Sequence, residues 1–192
     1  KRWEYTYHER LVRYRVPGRS ETIDQLEAVA RKLAEAPHSR RAQAITWQPW
    51  IDPDCSDPPC LQSMWFRVVP DASGVWRLNM NVRFRSRDAF DAAFMNCFAF
   101  VHLMERMARR IGELAGRQVL LGRYCDLSDS YHIYGRRRKA FEELFLRLVE
   151  TRPFEERTWT REFAEPFFEE ARPRIAEKVA AKDAADRRRE GL

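Results

Sequence analysis

The sequence predicts an α+β fold. Segments with a helical period alternate with strand-like segments, but without the regular strand, helix and strand repeat of a doubly wound sheet. The chain has 192 residues, of which 44% are hydrophobic and 33% charged. That is enough for one sizeable core. We therefore predict a single domain over residues 1–192, in which residues 160–192 form a charged helical tail whose end frays.

The first helix is predicted over residues 22–36. Thr22 and Gln25 form a capping pattern at its start, and Pro37 stops it. Its apolar side chains recur at helical spacing and share one face: Ile23, Leu26, Val29, Ala30 and Leu33.

Three strands are predicted next, over residues 42–47, 61–69 and 75–86. The turn sequence DASG at residues 71–74 joins the last two as a hairpin. The third strand presents one apolar and one polar face, because Trp76, Leu78, Met80, Val82 and Phe84 alternate with Arg77, Asn79, Asn81 and Arg83.

A long core helix is predicted over residues 88–115. Its broad apolar stripe consists of Phe90, Phe94, Cys97, Phe98, Val101, Met104, Met107 and Ile111. A strand that ends in aromatic residues follows at residues 119–135, then a helix at residues 137–149. From about residue 160 the chain is again helical and increasingly charged.

Charge and hydropathy indicate a cytoplasmic protein. No apolar run has the length of a membrane span, and no cleavable leader is recognised, so we expect no membrane partner. The net charge is +6, which suits anionic partners. The excess is dispersed, however, and we interpret the arginine clusters at residues 136–138 and 187–189 as solvated surface rather than a nucleic-acid site.

Two of the four cysteines, Cys55 and Cys60, lie close together in residues 51–66. They could form a disulfide, share a metal site, or include one nucleophile. Thiols are the usual state in a cytoplasmic chain, and no CxxC spacing is present, so no metal site is predicted. A lone cysteine is usually a small buried hydrophobe. Pro58 and Pro59 nevertheless fix the backbone before Cys60, which makes it a candidate nucleophile.

Three other segments place polar residues beside the predicted core: residues 38–42, 83–88 and 130–135. Arginines next to a serine suit a phosphate group, although an arginine pair after a helix is more often a surface feature. His132 is more often a packing residue than a catalyst. Asn96 lies within an apolar stripe, where a buried carboxamide needs a partner that both donates and accepts.

In chain order, the blocks SRRA, PPCLQ, FRSRD, AAFMNCFAF and SDSYHIYG resemble the successive signature blocks of the thymidylate synthase family. The resemblance runs from about Tyr7 to Tyr134. It implies a mixed β-sheet of six strands with flanking helices, and a homodimer in which two chains pack sheet to sheet.

The resemblance also implies a covalent mechanism on a pyrimidine nucleoside 5′-monophosphate. The Cys60 thiolate adds to C6, and C5 then attacks the methylene carbon of 5,10-methylenetetrahydrofolate. Cys55 then takes no part in the reaction. Tyr7 matches a tyrosine that helps to remove the proton from C5, and Asn96 matches the asparagine that reads the base edge.

For the phosphate, the resemblance implies a site shared between subunits. Arg85 and Ser86 match the phosphate-binding pair of their own subunit. Arg40 and Arg41 match a pair that the neighbouring subunit donates. A monomer would therefore have half a phosphate site.

The remaining matches place His132 and Tyr134 at the ribose hydroxyl and Asp88 near the folate pterin. Three positions depart from the family pattern: Leu61 replaces the usual histidine after the nucleophile, Phe84 replaces a glutamine, and Asp91 replaces a glycine. The family's catalytic glutamate precedes the region matched here, so we expect this sequence to be the C-terminal portion of a longer chain.

The product and the base are left open by these matches. After the one-carbon unit is attached, hydride transfer gives a methyl group and water gives a hydroxymethyl group. Methylating synthases close the site with an apolar C-terminal tail, whereas this chain ends in charge, which favours water. Asn96 could serve uracil or, after an amide flip, cytosine.

Viral deoxycytidylate hydroxymethylases have aspartate where Asn96 stands, so the asparagine argues against close kinship with them. The hydroxymethylase that remains is a cellular enzyme acting on CMP. We therefore predict a CMP 5-hydroxymethylase of the type found in the mildiomycin pathway. The first alternative is a thymidylate synthase that methylates dUMP. An alternative from another class is a non-catalytic nucleotide- or RNA-binding protein that uses the basic surface, whose affinity would fall steeply with salt.

Overall fold

A computed structural model describes residues 5–190. The chain divides into two compact units, one that ends at Arg137 and one that begins at Arg138. The predicted α+β class is confirmed, and the single domain over residues 1–192 stays a prediction. In the described residues no helix is both long and apolar enough to cross a lipid bilayer.

The first unit contains a mixed sheet and a separate pair of short strands. The strands are β1 (Gln43–Ile45), β2 (Leu61–Pro70), β3 (Trp76–Phe84), β4 (Arg87–Asp88), β5 (Val119–Ser128) and β6 (Tyr131–His132). The sheet has the order β1-β2-β3-β5, in which β1, β2 and β3 are antiparallel neighbours and β5 is parallel to β3. β4 and β6 form a parallel pair.

The helices of the first unit are α1 (Tyr7–Val12), α2 (Gln25–Glu35) and α3 (Ala93–Ala115). Short 3₁₀ turns lie at Asp52–Asp54 and Gly135–Arg137. Parallel strands need a long crossover, and α3 supplies it between β3 and β5. The predicted hairpin is confirmed: the Gly74 amide donates to the Asp71 carbonyl at 2.9 Å, and Gly74 has a φ of 80°.

Two helix starts differ from the predictions. Residues 22–24 are not helical, because Ile23 forms a backbone bridge with Tyr14 and Asp24 caps α2 by accepting from the Glu27 amide at 2.9 Å. The long helix begins at Ala93 rather than at Asp88, because Asp88 belongs to β4. Local sequence patterns do not reveal such pairing with distant residues.

The core lies between the sheet and the helices α2 and α3. The buried residues of β2 and β3 include Met64, Phe66, Val68, Leu78, Met80, Val82 and Phe84. The predicted apolar face of β3 is thus confirmed for its inner positions. The predicted stripe of α3 is partly wrong, since Phe94 is 63% exposed and Phe100 is 6% exposed and packs on Phe84. The first half of α3 is apolar on most sides, so periodicity alone could not orient it.

Glu27 links α2 to α3, and its removal is expected to weaken the unit slightly. Its carboxylate accepts from Arg110 at 2.8 Å and from Arg31 at 2.9 Å, and these arginines lower the pKa of Glu27 to about 2. Because both arginines are exposed and the carboxylate is only partly buried, Glu27→Gln should cost less than about 1 kcal/mol at pH 7.

The pH dependence of this contribution gives the check. The pKa of Glu27 in the folded protein is below the ordinary value of 4.5, so its stabilisation is present above that value and is lost as the pH falls toward 2. Denaturant unfolding of wild type and Glu27→Gln at several pH values measures the difference. Glu113→Gln, which removes a longer contact of 3.5 Å to Arg110, is the control. An undiminished difference at the acid end would contradict this origin.

The second unit is helical, as predicted. It contains α4 (Arg138–Ala140), a π-helical turn (Phe141–Leu146), α5 (Arg147–Thr151), α6 (Phe154–Arg157) and α7 (Arg161–Glu190). A groove of about 660 Å³ in this unit is lined by aliphatic and aromatic side chains, among them Leu148, Trp159, Phe163 and Phe167.

Candidate active site

A cavity of about 510 Å³ brings together most of the residues singled out in the sequence. Those that line it are Tyr7, Cys60, Ser86, Asp88, Asn96, His132 and Tyr134. They come from positions more than a hundred residues apart in the chain. The structure places them around one cavity, and the role of each one stays a prediction.

The sheet topology explains this convergence. β2 is antiparallel to β3 and therefore starts where β3 ends, with Leu61 opposite Phe84. β5 is parallel to β3 and ends at the same edge, with Ser128 opposite Phe84. The continuations β4 and β6 pair beyond that edge, with Asp88 opposite His132. Residues before one strand and after two others thus meet at one edge of the sheet.

Cys60 is half-buried directly before β2, close to Tyr7. Burial, together with the nearby Cys60, raises the pKa of Tyr7 to about 12. The Tyr7 ring packs edge to face on Phe84, with 6.4 Å between the ring centroids. At neutral pH the Tyr7 phenol therefore keeps its proton, and it can donate a hydrogen bond or orient a water.

Arg85 holds the loop that precedes Cys60. Its Nε donates to the Pro59 carbonyl at 3.1 Å, and its Nη2 donates to the Pro58 carbonyl at 2.6 Å. Its backbone amide donates to the Cys60 carbonyl at 2.9 Å. Arg85 is not among the residues that line the cavity, in contrast to Ser86 beside it. In this structure its guanidinium fixes the backbone around Cys60.

Arg40 and Arg41 are exposed and lie between α2 and β1, outside the cavity lining. The Arg40 carbonyl accepts from the Trp65 indole at 3.1 Å, and the Arg41 amide donates to Ser39 at 3.2 Å. Both bonds fix the backbone of this segment. Neither bond involves a guanidinium.

The remaining predicted residues surround the other side of the cavity. The rings of His132 and Tyr134 meet edge to face, with 4.9 Å between their centroids. The Asp88 Oδ1 accepts from the amides of Phe90 and Asp91 at 2.9 and 3.0 Å, which forms the turn before α3. This turn brings the first residues of α3 back to the cavity.

Sequence reasoning missed Arg87, which also lines the cavity and is only 4% exposed. Its guanidinium pairs with Asp126 and lies 4.5 Å from the centroid of the Phe84 ring. The only available signal was its position between two candidate site residues, Ser86 and Asp88. An arginine in such a basic block is normally read as surface.

A family model described as thymidylate synthase matches residues 1–164. Among curated relatives, the protein named "Putative thymidylate synthase" of Methanocaldococcus jannaschii is 36% identical over 69% of this chain and 56% of its own length. The protein of the same name from Methanosarcina acetivorans is 33% identical over 69% of this chain and 54% of its own length. The chain spans about half the length of these relatives. With the extent of the family match and the level of identity, these findings show that the chain belongs to the thymidylate synthase family.

Proposed function

We propose that this chain carries the nucleotide-binding and nucleophilic part of an enzyme that transfers a one-carbon unit to C5 of a pyrimidine nucleoside 5′-monophosphate. One observation carries the proposal: the candidate nucleophile Cys60 and the candidate base reader Asn96 line the same cavity, together with the candidate ribose residues. Family membership supports the reaction class.

In the proposed mechanism, the Cys60 thiolate forms a bond to C6 of the base, and the electrons of the C5–C6 double bond move to C5. C5 would then take up the methylene carbon of the folate, and loss of the C5 proton would expel tetrahydrofolate and leave an exocyclic methylene group on the base. Hydride or water would add to that group, and elimination of the Cys60 thiolate would restore the C5–C6 double bond. The protonated Tyr7 phenol orients a water for that proton transfer, since a phenol with a pKa of about 12 is a poor base at neutral pH.

The proposed one-carbon donor is 5,10-methylenetetrahydrofolate, which supplies a carbon at the oxidation level of formaldehyde. Asp88 is the residue that fits it. Both backbone bonds of this carboxylate go to Oδ1, and the residue lines the cavity. The Oδ2 atom can therefore accept from an N–H group of the pterin.

For the base, the carboxamide of Asn96 can accept from N3–H and donate to O4 of uracil, or present the reverse pattern to cytosine. The narrower proposal is a CMP 5-hydroxymethylase. An aspartate at position 96 would favour the viral deoxycytidylate hydroxymethylases, and the asparagine found there favours the CMP enzymes instead. The second candidate is a thymidylate synthase acting on dUMP, which the names of the two relatives favour.

A product assay with the full-length protein separates these candidates. The protein is incubated with methylenetetrahydrofolate and, in separate reactions, with CMP, dCMP, UMP and dUMP. Each product is identified by mass spectrometry, and dihydrofolate is followed by absorbance. A hydroxymethyl product from CMP supports the narrower proposal. A methyl product from dUMP with stoichiometric dihydrofolate supports the second candidate. If no product forms from any of the four nucleotides, the proposed function is overturned.

We also propose that the enzyme is a homodimer that shares its phosphate sites. The exposed position of Arg40 and Arg41 supports this, because their guanidinium groups lie outside their own chain's cavity lining. The face of the sheet that bears Trp65 and Arg83 is opposite the core. A second chain packed on it would receive the arginine pair.

Mixing two impaired variants is expected to restore activity. Arg41→Ala removes the donated arginine and Cys60→Ser removes the nucleophile, so a hybrid dimer has one site with both groups intact. The two variants are mixed in equal amounts, unfolded and refolded together. Half of the dimers are then hybrids, and each hybrid dimer has one working site of its two. About a quarter of wild-type activity should therefore return. Each variant refolded alone is the control. A fully active monomer in sedimentation would contradict the shared site.

A further inference from the structure

We propose that Arg87 is a positioning residue that fixes the first turn of α3 and thereby aims Asn96 at the base. The inference deepens the proposed function and rests on it, since the contact between Asn96 and the base is part of that proposal. The attachment of α3 is a separate statement that can be tested without any activity.

Arg87 contacts α3 on both sides of Asn96. Its Nη2 donates to the carbonyl of Ala93, the first residue of the helix, at 2.8 Å. The same nitrogen lies 3.2 Å from the Sγ atom of Cys97. Asn96 lies between these two contacts in sequence and faces the cavity. The guanidinium therefore holds the turn from which the Asn96 side chain projects.

Apart from Arg87, the start of α3 is attached through the buried Ala93 and through Cys97, whose Sγ atom lies 3.8 Å from Asp126 Oδ2. Its N-cap residue is Ala92, which provides no side-chain hydrogen bond to the free amides of the first turn. Phe94 and Met95 are both largely exposed, so they bury little apolar surface there. The buried residues from Phe100 to Ile111 hold the later turns. A helix end with so little packing opens easily unless another group holds it.

Arg87 can hold this turn because its own position is fixed from the sheet. It forms an ion pair with Asp126 of β5, whose Oδ2 also accepts from the Tyr124 hydroxyl at 2.6 Å. Burial lowers the pKa of Arg87, but the Asp126 carboxylate and the Cys97 thiol together raise it by more, so the net shift of this pKa is upward. The guanidinium thus stays charged, and its bond to the Ala93 carbonyl is charge-assisted. The Phe84 ring packs on the guanidinium.

The planar fork of arginine is essential to this arrangement. One guanidinium nitrogen binds the Asp126 carboxylate and another binds the α3 carbonyl. A lysine keeps the charge but has a single nitrogen, which cannot occupy both positions. Arg87→Lys should therefore preserve the buried ion pair better than it preserves the attachment of α3.

Two readouts on the full chain test the proposal with Arg87→Lys. Within residues 93–97, hydrogen exchange at the bonded amides of Asn96 and Cys97 should become roughly tenfold faster or more, while exchange at residues 104–111 stays as in wild type. With the preferred nucleotide of the product assay, kcat should fall about 10- to 100-fold while KM changes much less, because the phosphate and ribose contacts remain. Asp126→Asn, which weakens the hold on Arg87, should give the same pattern more mildly.

Arg137→Lys is the matched control. Arg137 forms an exposed ion pair with Asp91 at 2.9 Å, two residues before α3 begins, and its guanidinium lies over the Phe90 ring. It should leave both readouts unchanged. Wild-type exchange and kcat in Arg87→Lys would overturn the proposal. Faster exchange at residues 93–97 with unchanged kcat would overturn the link to Asn96. If the wild type turns over no nucleotide, the proposed function fails, and the exchange result alone decides whether Arg87 holds α3.

Discussion

Cys60→Ser is expected to abolish turnover while nucleotide binding survives. A serine hydroxyl is almost entirely protonated at neutral pH and adds poorly to C6 of a pyrimidine, whereas a thiol supplies a small fraction of thiolate that is intrinsically a strong nucleophile. The rate should fall by about 10³-fold or more, as expected when a nucleophile is removed. The substitution changes one atom of a half-buried side chain, so the proposed phosphate, ribose and base contacts should be retained. Single-turnover kinetics and calorimetric titration with the nucleotide measure the two properties.

Cys55→Ser is the matched control, because Cys55 lies in the same loop and is also half-buried. It should retain most of the wild-type rate. Equal losses in the two variants would mean that the loop, rather than the Cys60 thiol, is required. Full activity of Cys60→Ser, with nucleotide affinity that falls steeply with salt, would instead support a non-catalytic binding protein.

Asp52→Ala is expected to lower the free energy of unfolding by about 3–5 kcal/mol, because it leaves a buried arginine without its counter-ion. Asp52 is fully buried, and Arg10 is nearly so. Their closest contact, from Arg10 Nη2 to Asp52 Oδ1, is 2.8 Å. The pair joins α1 to the segment that precedes Cys60, and Arg10 Nη1 also donates to the Thr46 carbonyl at 3.3 Å. Urea unfolding measures the loss.

A double-mutant cycle identifies the source of this loss. In the variant Arg10→Met with Asp52→Ala no unpaired charge is buried, so its stability should exceed that of Asp52→Ala alone. Asp129→Ala is the exposed control, since Asp129 pairs with Arg83 at the surface and its loss should cost less than about 1 kcal/mol. A double variant as unstable as Asp52→Ala, or less stable, would contradict the role of the unpaired charge.

The candidate site was predictable to the extent that its residues carry recognisable local chemistry. Cys60 after two prolines and Asn96 in an apolar helix each stand out in the sequence, and both line the cavity. Arg85 illustrates the opposite case. Its block marks it as a phosphate ligand, yet its guanidinium binds the carbonyls of Pro58 and Pro59. Only the folded chain shows which acceptors are within reach of a long side chain.

The fold was predictable where patterns are local. The alternation of β3 and the DASG turn each depend on neighbouring residues, and both agree with the structure. The start of α2 was misplaced because Ile23 pairs with Tyr14, nine residues earlier. The apolar stripe of α3 was misassigned around Phe94, because the choice between apolar faces is made by the sheet on which the helix packs.

The α+β class, the nucleophile candidate and the family resemblance are all predictable from the sequence alone, because they depend on short-range periodicity and on blocks of residues in a fixed order. The burial of Arg87 at the site, where it joins Asp126 to Ala93, is visible only in the folded chain. A charge can be buried only where an opposite charge and further acceptors compensate for the loss of water. Those partners lie on β5 and α3, and only the folded chain brings them within hydrogen-bonding distance.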